Sequence, residues 1–229
     1  MSGYFLHKCG NEKLFSQCNI LNLPSHITFA DGSSIEYEYA ADGRKVRTTH
    51  TINNNVTSTV YCGNAVYENG VPKTLLTEAG FVSLNDRIYH YYLKDHQGNN
   101  RVVADQNGTI EEVNHYYPFG GIFASASSVQ SYKYNGKELD RNDGLDWYDY
   151  GARHYDAMIG RWCAVDSLAE KYNSFNVYNY CGNNPIRYVD PNGNGWDEAW
   201  PFLKNSLSVS FSIGSQANAD IKAVSYTHL

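Results

Sequence analysis

The chain has 229 residues, 42 % apolar and 14 % aromatic, enough to bury a core and too much for a disordered tract. Its 24 acids outweigh 18 bases for a net charge of −6, and no basic block gathers, so nucleic-acid binding lacks its usual electrostatic footprint. The outlier is tyrosine, with 20 residues against nine phenylalanines, rings with a polar tip that suit sheets wet on one or both faces.

The opening MSGYFLHKCGNEKLF has no continuous apolar run and carries Lys8, Glu12 and Lys13, so no signal peptide is legible. No apolar run approaches the roughly 20 residues of a membrane span. Residues 1–21 read as an irregular lead-in, the start of a fragment, and residues 22–88 as hairpins. Two Asp-Gly steps, Asp31-Gly32 and Asp42-Gly43, bracket the strict alternation Ile35-Glu36-Tyr37-Glu38-Tyr39, and Lys45-Val46-Arg47-Thr48-Thr49 follows. Asp-Gly supplies the positive φ of a tight turn, and alternation marks a strand with two unlike faces.

Residues 89–194 continue the pattern. YHYYLKDHQGNNRVVADQNGTIEEVNHYYPFG predicts a strand, a turn at Gln97–Asn100, a strand over Arg101–Ala104, a turn at Asn107-Gly108 and a strand through Val113. SYKYNGKELD places Asn135-Gly136 after another tyrosine strand. Tyr-x-Tyr units recur at 37–39, 89–91, 132–134, 148–150 and 178–180 without a fixed period, which describes a degenerate hairpin array. Short helical pieces are expected near Ser167–Lys171 and Trp196–Leu203. The predicted fold class is all-β, an antiparallel hairpin array. Beyond 194 the tyrosine ladder stops, and residues 195–229 read as the start of a variable region or a tail too short for its own core.

The chemistry-bearing residues are few. Cys9, Cys18, Cys62, Cys163 and Cys181 are odd in number and form no CxxC, which argues for separate free thiols. His115 and His154 near Asp149 or Asp156 lack ligand spacing, so no metal and no cofactor is expected. Nucleotide-loop, dinucleotide, hydrolase-elbow and zincin motifs do not occur. The Asn-x-Thr matches at 55–57 and 107–109 read as chance. Asp166 and Asp190 lie on either side of VYNY, read as a strand that could fold them together. Two carboxyls sharing a site titrate as a pair, one protonated as acid and one ionised as base, the machinery for hydrolysing a peptide bond. Both are also ordinary turn formers, and the residues leave that alternative open.

The motifs YHYYLKDHQGNNRVV, YYPFG, YKYNGKELD, LDWYDYGARHYDAMIGRWCAVDSLAEKY and YNYCGNNPIRYVDPNG, in that order, resemble the Rhs-repeat (YD-repeat) family and specifically its C-terminal Rhs-associated core. The resemblance covers about Asn22 to Gly193 and implies that the hairpins form part of a spiral β-shell enclosing a C-terminal effector. In some members the core that plugs the shell frees the effector by aspartyl self-cleavage. It implies Asp166, Asp190 and Arg153 as the catalytic group and the Asn194–Gly195 bond as the cleavage point; Arg161 reads as structural. The second Asp-Pro-x-Gly motif, Asp190 to Gly193, is intact, but the first departs, with Ser167 for Pro and Ala169 for Gly, and Asn194 stands where leucine is frequent. The implied partners are the chain's own toxin segment, upstream repeats, an immunity protein and export machinery. The implied location is secreted or at the cell surface, as part of a larger bacterial parent. Two other readings stay open, a non-catalytic structural β-shell piece and a carbohydrate- or surface-binding β protein with tyrosine platforms.

Overall fold

The computed structural model describes residues 4–9, 12–125, 128–141, 144–172 and 175–198. Thirteen strands form one antiparallel sheet in which every strand pairs with its neighbours in sequence. They are β1 (Tyr4–Cys9), β2 (Glu12–Cys18), β3 (Pro24–Thr28), β4 (Ser34–Tyr39), β5 (Lys45–Ile52), β6 (Asn55–Cys62) and β7 (Ala65–Glu68). They continue as β8 (Val71–Leu76), β9 (Gly80–Ser83), β10 (Tyr89–Lys94), β11 (Asn100–Asp105), β12 (Ile110–Tyr116) and β13 (Ile122–Ser125). A four-stranded sheet follows, β14 (Glu138–Asp140), β15 (Trp147–Asp149), β16 (His154–Asp156) and β17 (Arg161–Trp162), and then a pair, β18 (Tyr188–Val189) and β19 (Asp197–Glu198). The predicted all-β hairpin array is the observed fold.

The turns follow from their residues. Gly32 and Gly43 sit at φ +90° and +85°, where a Cβ would be strained. The aspartate before each glycine turns its own side chain onto the chain ahead: Asp31 Oδ1 accepts from the Ser33 amide at 2.9 Å and Asp42 Oδ1 from Arg44 at 3.0 Å. Asp95 and Asp105 do the same at the β10–β11 and β11–β12 turns.

One face of β4 is buried through Ile35 and Tyr37 while Glu36 and Glu38 face water. That face packs, with Ile27 and Phe29, on Leu145 and Trp147. The opposite end of the long sheet sends Tyr116, Phe119 and Ile122 onto a second cluster built from Tyr134, Leu139, Tyr148, Tyr150, Tyr155, Trp162 and Tyr180. Early and late strands thus reach the same four-stranded sheet, so the long sheet curves around it.

Among the described residues six tyrosines, Tyr37, Tyr134, Tyr148, Tyr150, Tyr155 and Tyr180, are buried, while Tyr89, Tyr91 and Tyr117 on the long sheet and its turn are exposed. Tyr134, Tyr148 and Tyr155 fill the core while their hydroxyls donate to the carbonyls of Pro118, Gly120 and Phe119. Tyr150 and Tyr180 hydroxyls both donate to Asn135 Oδ1, each at 2.7 Å. A phenylalanine would fill the same space and leave those acceptors without a donor.

Four local expectations fail. Residues 1–21, read as an irregular lead-in, carry the paired strands β1 and β2. Tyr132 makes only an isolated bridge to Glu138, and Tyr134–Gly136 is a 3₁₀ turn, because Asn135 adopts φ +50° and its amide is held by Gln97 and Asn99. VYNY is not a strand. Asn176 Oδ1 caps the Tyr178 amide at 2.9 Å to make a turn, and Asn179 bridges singly to Arg161. Of the helical piece placed at Trp196–Leu203, residues 197–198 are strand β19, and residues from 199 on lie outside the described residues. The other helical piece is a 3₁₀ turn at Ala169–Tyr172.

Candidate functional site

Asp166 follows β17 and Asp190 follows β18, each at the head of a turn. The two turns are built alike. Asp166 Oδ1 accepts from the Leu168 amide at 2.8 Å, and Asp190 Oδ1 accepts from Asn192 at 3.2 Å and Gly193 at 2.7 Å. Ser167 in place of proline therefore leaves the first turn intact. With one oxygen engaged in its turn, each aspartate presents the other to Arg153. Arg153 Nη2 lies 3.0 Å from Asp166 Oδ2 and 3.7 Å from Asp190 Oδ2. Turn former and member of a charged cluster are thus compatible roles for the same side chain.

Arg153 reaches the pair from the turn between β15 and β16. Its guanidinium stacks on the Trp162 ring, 4.2 Å from the centroid. Its Nε donates to the Gly193 carbonyl at 2.5 Å, so the same side chain grips the backbone next to the Asn194–Gly195 bond. Lys137 Nζ donates to the Pro191 carbonyl at 2.6 Å, and the Ala152 amide to the Asn192 carbonyl at 3.1 Å. Sequence reasoning missed Trp162 and Lys137. The Trp162 shelf had a weak signal, an aromatic one residue past Arg161, whereas Lys137 lies 53 residues from Asp190 with no pattern linking them.

The cluster is dry. Asp190 is fully buried, Arg153 is 3 % exposed and Asp166 is 8 % exposed. Burial pushes the Asp190 carboxyl above the ordinary aspartate value, and the Gly193 and Asn192 amides and Arg153 offset this only in part. Its Oδ2 receives no hydrogen bond. Burial draws Arg153 down against the pull of Asp166 and Asp190. Cys181 lies beside them, but burial pushes its thiol well up, which leaves it protonated and unsuited to attack. Cys18, Cys62, Cys163 and Cys181 are all free thiols.

The other sequence candidates lie elsewhere. His154 is buried between the Tyr37 and Trp147 rings, and His115 lies tilted against Phe123 beside Arg101. Arg161 donates to Asn183 Oδ1 at 2.8 Å, a wall contact.

A second charged cluster, also missed, joins the long sheet to the small one. Lys45 Nζ on β5 lies 2.8 Å from both Glu138 Oε2 and Asp149 Oδ2. Tyr61 OH donates to Glu138 at 2.7 Å, and Asp140 Oδ2 meets Tyr37 OH at 2.8 Å and His50 Nε2 at 3.0 Å. Burial opposes the Lys45 charge, but the two carboxylates outweigh it and hold its pKa well above the ordinary lysine value. Burial likewise opposes the Asp149 charge, but Lys45 foremost holds that carboxyl below the usual range. These groups border a cavity of about 450 Å³ between the two sheets.

The architecture is that of an antiparallel β-shell. The TcdB2–TccC3 complex with Cdc42 superposes with a TM-score of 0.66 at 23 % identity, over 80 % of this chain and 10 % of that one. By sequence, the chain is 39 % identical over 96 residues to the toxin subunit YenC2 of Yersinia entomophaga, which is 39 % of this chain and 10 % of that protein. It is also 37 % identical over 109 residues to salivary gland surface protein 1 of Aedes aegypti, 46 % of this chain and 3 % of that protein. No family model matches. The chain is a relative of Tc toxin subunits with Rhs-like shell structure and spans a tenth or less of the length of these relatives.

Proposed function

We propose that this chain is the shell-and-plug segment of an Rhs-type toxin carrier, its core at residues 89–194, and that it cuts its own backbone between Asn194 and Gly195. One observation carries the reading: two buried aspartates from separate turns meet on one guanidinium that also grips the residue before Asn194. Asp166, ion-paired with Arg153, takes a proton from water as the water attacks the Asn194 carbonyl. Arg153 faces the charge that develops on the carbonyl oxygen. Asp190, whose buried carboxyl favours the protonated form, gives its proton to the Gly195 nitrogen as the C–N bond breaks. The products are a new carboxyl terminus at Asn194 and a new amine at Gly195.

On this reading residues 195–229 begin the released segment, the partners are that segment, upstream shell repeats, an immunity protein and export machinery, and the larger parent is secreted or at the cell surface. The relatedness to toxin subunits and the shared shell fold support the carrier role. The test is the fragment pattern of the purified chain and its Asp166→Asn, Asp190→Asn and Arg153→Lys variants. Fragments from the parent chain that disappear in both aspartate variants support it. A pattern that neither aspartate variant changes leaves the structural β-shell reading in its place.

A further inference from the structure

We propose that Trp196, two residues past the Asn194–Gly195 bond, is a positioning residue, the anchor that holds the far side of that bond on the core. On the near side the carbonyls of Pro191, Asn192 and Gly193 accept in turn from Lys137, the Ala152 amide and Arg153. Beyond the bond the chain folds back. Strand β19 pairs with β18, Val189 opposite Asp197 and Tyr188 opposite Glu198. Residues 190–196 are therefore the loop of a hairpin, and that one loop carries Asp190, the bond and Trp196. A hairpin with strands this short is not stable by itself in water.

Strand β18 is fixed to the core, with Val189 buried and Tyr188 packed on the tyrosine cluster. Trp196 gives β19 its own hold. Its indole packs on the same cluster and meets the Phe175 ring edge-on, with 5.5 Å between centroids and an angle of 88°. Gly182, at φ +60°, lies against both rings: a Cβ there would stand 3.7 Å from Phe175 and 3.8 Å from Trp196. Trp196 is half-buried, so it hides apolar area that a smaller side chain would not, and that burial supports the strand after it. Docked, the ring leaves the bond tethered on both sides within a few residues, which keeps it aligned with Asp166 and Asp190. The anchor does not rest on the self-cleavage reading. Its consequence does: the site extends two residues into the segment that the cut frees, and the residue there selects which segments are cut.

The experiment has two arms. On the Asp166→Asn chain, where the proposed cleavage does not consume the site, hydrogen exchange read by mass spectrometry is expected to show residues 195–198 protected. Adding Trp196→Ala is expected to speed their exchange at least about tenfold, while β4 and β5 exchange as before. With Asp166 intact, Trp196→Ala is expected to slow formation of the fragment that begins at Gly195 roughly ten- to a hundredfold. Trp196→Phe is expected to stay within about threefold of the parent, and Phe175→Ala, at an exposed residue, to fall between. Exchange over 195–198 that Trp196→Ala leaves unchanged, or raises alike in β4 and β5, overturns the proposal. So does a fragment that forms as fast from Trp196→Ala as from the parent. A parent chain that stays whole contradicts the cleavage reading instead, and the exchange arm then decides the anchor by the same results.

Discussion

Replacing Lys45 by methionine keeps the packed stem and removes only the charge. Glu138 and Asp149, each 2.8 Å from Lys45 Nζ, then stay ionised between the two sheets with no cation. Their side chains are 19 % and 14 % exposed, so solvent screens them little. Removing one partner of a buried ion pair costs about 3–5 kcal/mol. Tyr61 still donates to Glu138 at 2.7 Å, which places the expected loss at the lower end, about 3 kcal/mol. For a chain of this size that lowers the thermal midpoint by roughly 6–12 °C. The assay is calorimetry of Lys45→Met beside its parent at neutral pH and near pH 2, below the unfolded carboxyl value. Lys45 holds Asp149 below the ordinary carboxyl value, so the parent gains stability from Asp149 above the unfolded value, about 3.9, and loses it as pH falls through the folded one. In the variant that gain is absent, so the gap between the two proteins narrows toward acid. A triple variant that also carries Glu138→Gln and Asp149→Asn is expected to recover most of the loss. A Lys45→Met loss below about 1 kcal/mol, the range of an exposed pair, or one that does not change with pH, refutes the reasoning.

Asp190 has the opposite sign. Its folded carboxyl is raised, so its contribution is present at acid pH and lost as pH rises through the folded value, and Asp190→Asn should raise the thermal midpoint at neutral pH while abolishing cleavage. Calorimetry and a gel on the same sample check both halves. Gly120→Ala places a Cβ 2.6 Å from the Tyr134 ring at a φ of +90° and should cost roughly 2–3 kcal/mol, read as a lowered urea midpoint. A thiol reagent should label the exposed Cys62 at once and the buried Cys181 only on unfolding, as mass spectrometry of the labelled peptides will show.

The hairpins were legible because their signals are local. Asp31-Gly32 and Asp42-Gly43 declare turns, and Ile35 to Tyr39 declares a two-faced strand, within a few residues each. SYKYNG and VYNY misled for the same reason. Their tyrosines look like strand residues, whereas Asn135 and Asn176 fix turns through bonds to Gln97 and to Tyr178. Asp166, Asp190 and Arg153 were nameable from motifs, and the structure brings them together on one guanidinium. The Lys45 cluster was not legible, since Lys45 and Glu138 are 93 residues apart in sequence and nothing in β5 marks Lys45 as buried. The same holds for the phenols that staple Pro118 to Gly120, whose partners become neighbours only when the long sheet curves round the small one.

The most direct measurement is the mass and first residue of any small fragment that the purified chain releases on incubation. The account predicts a peptide that begins at Gly195, formed by the parent chain and by neither Asp166→Asn nor Asp190→Asn. A parent chain that stays whole, or a fragment that begins at another residue, would contradict it.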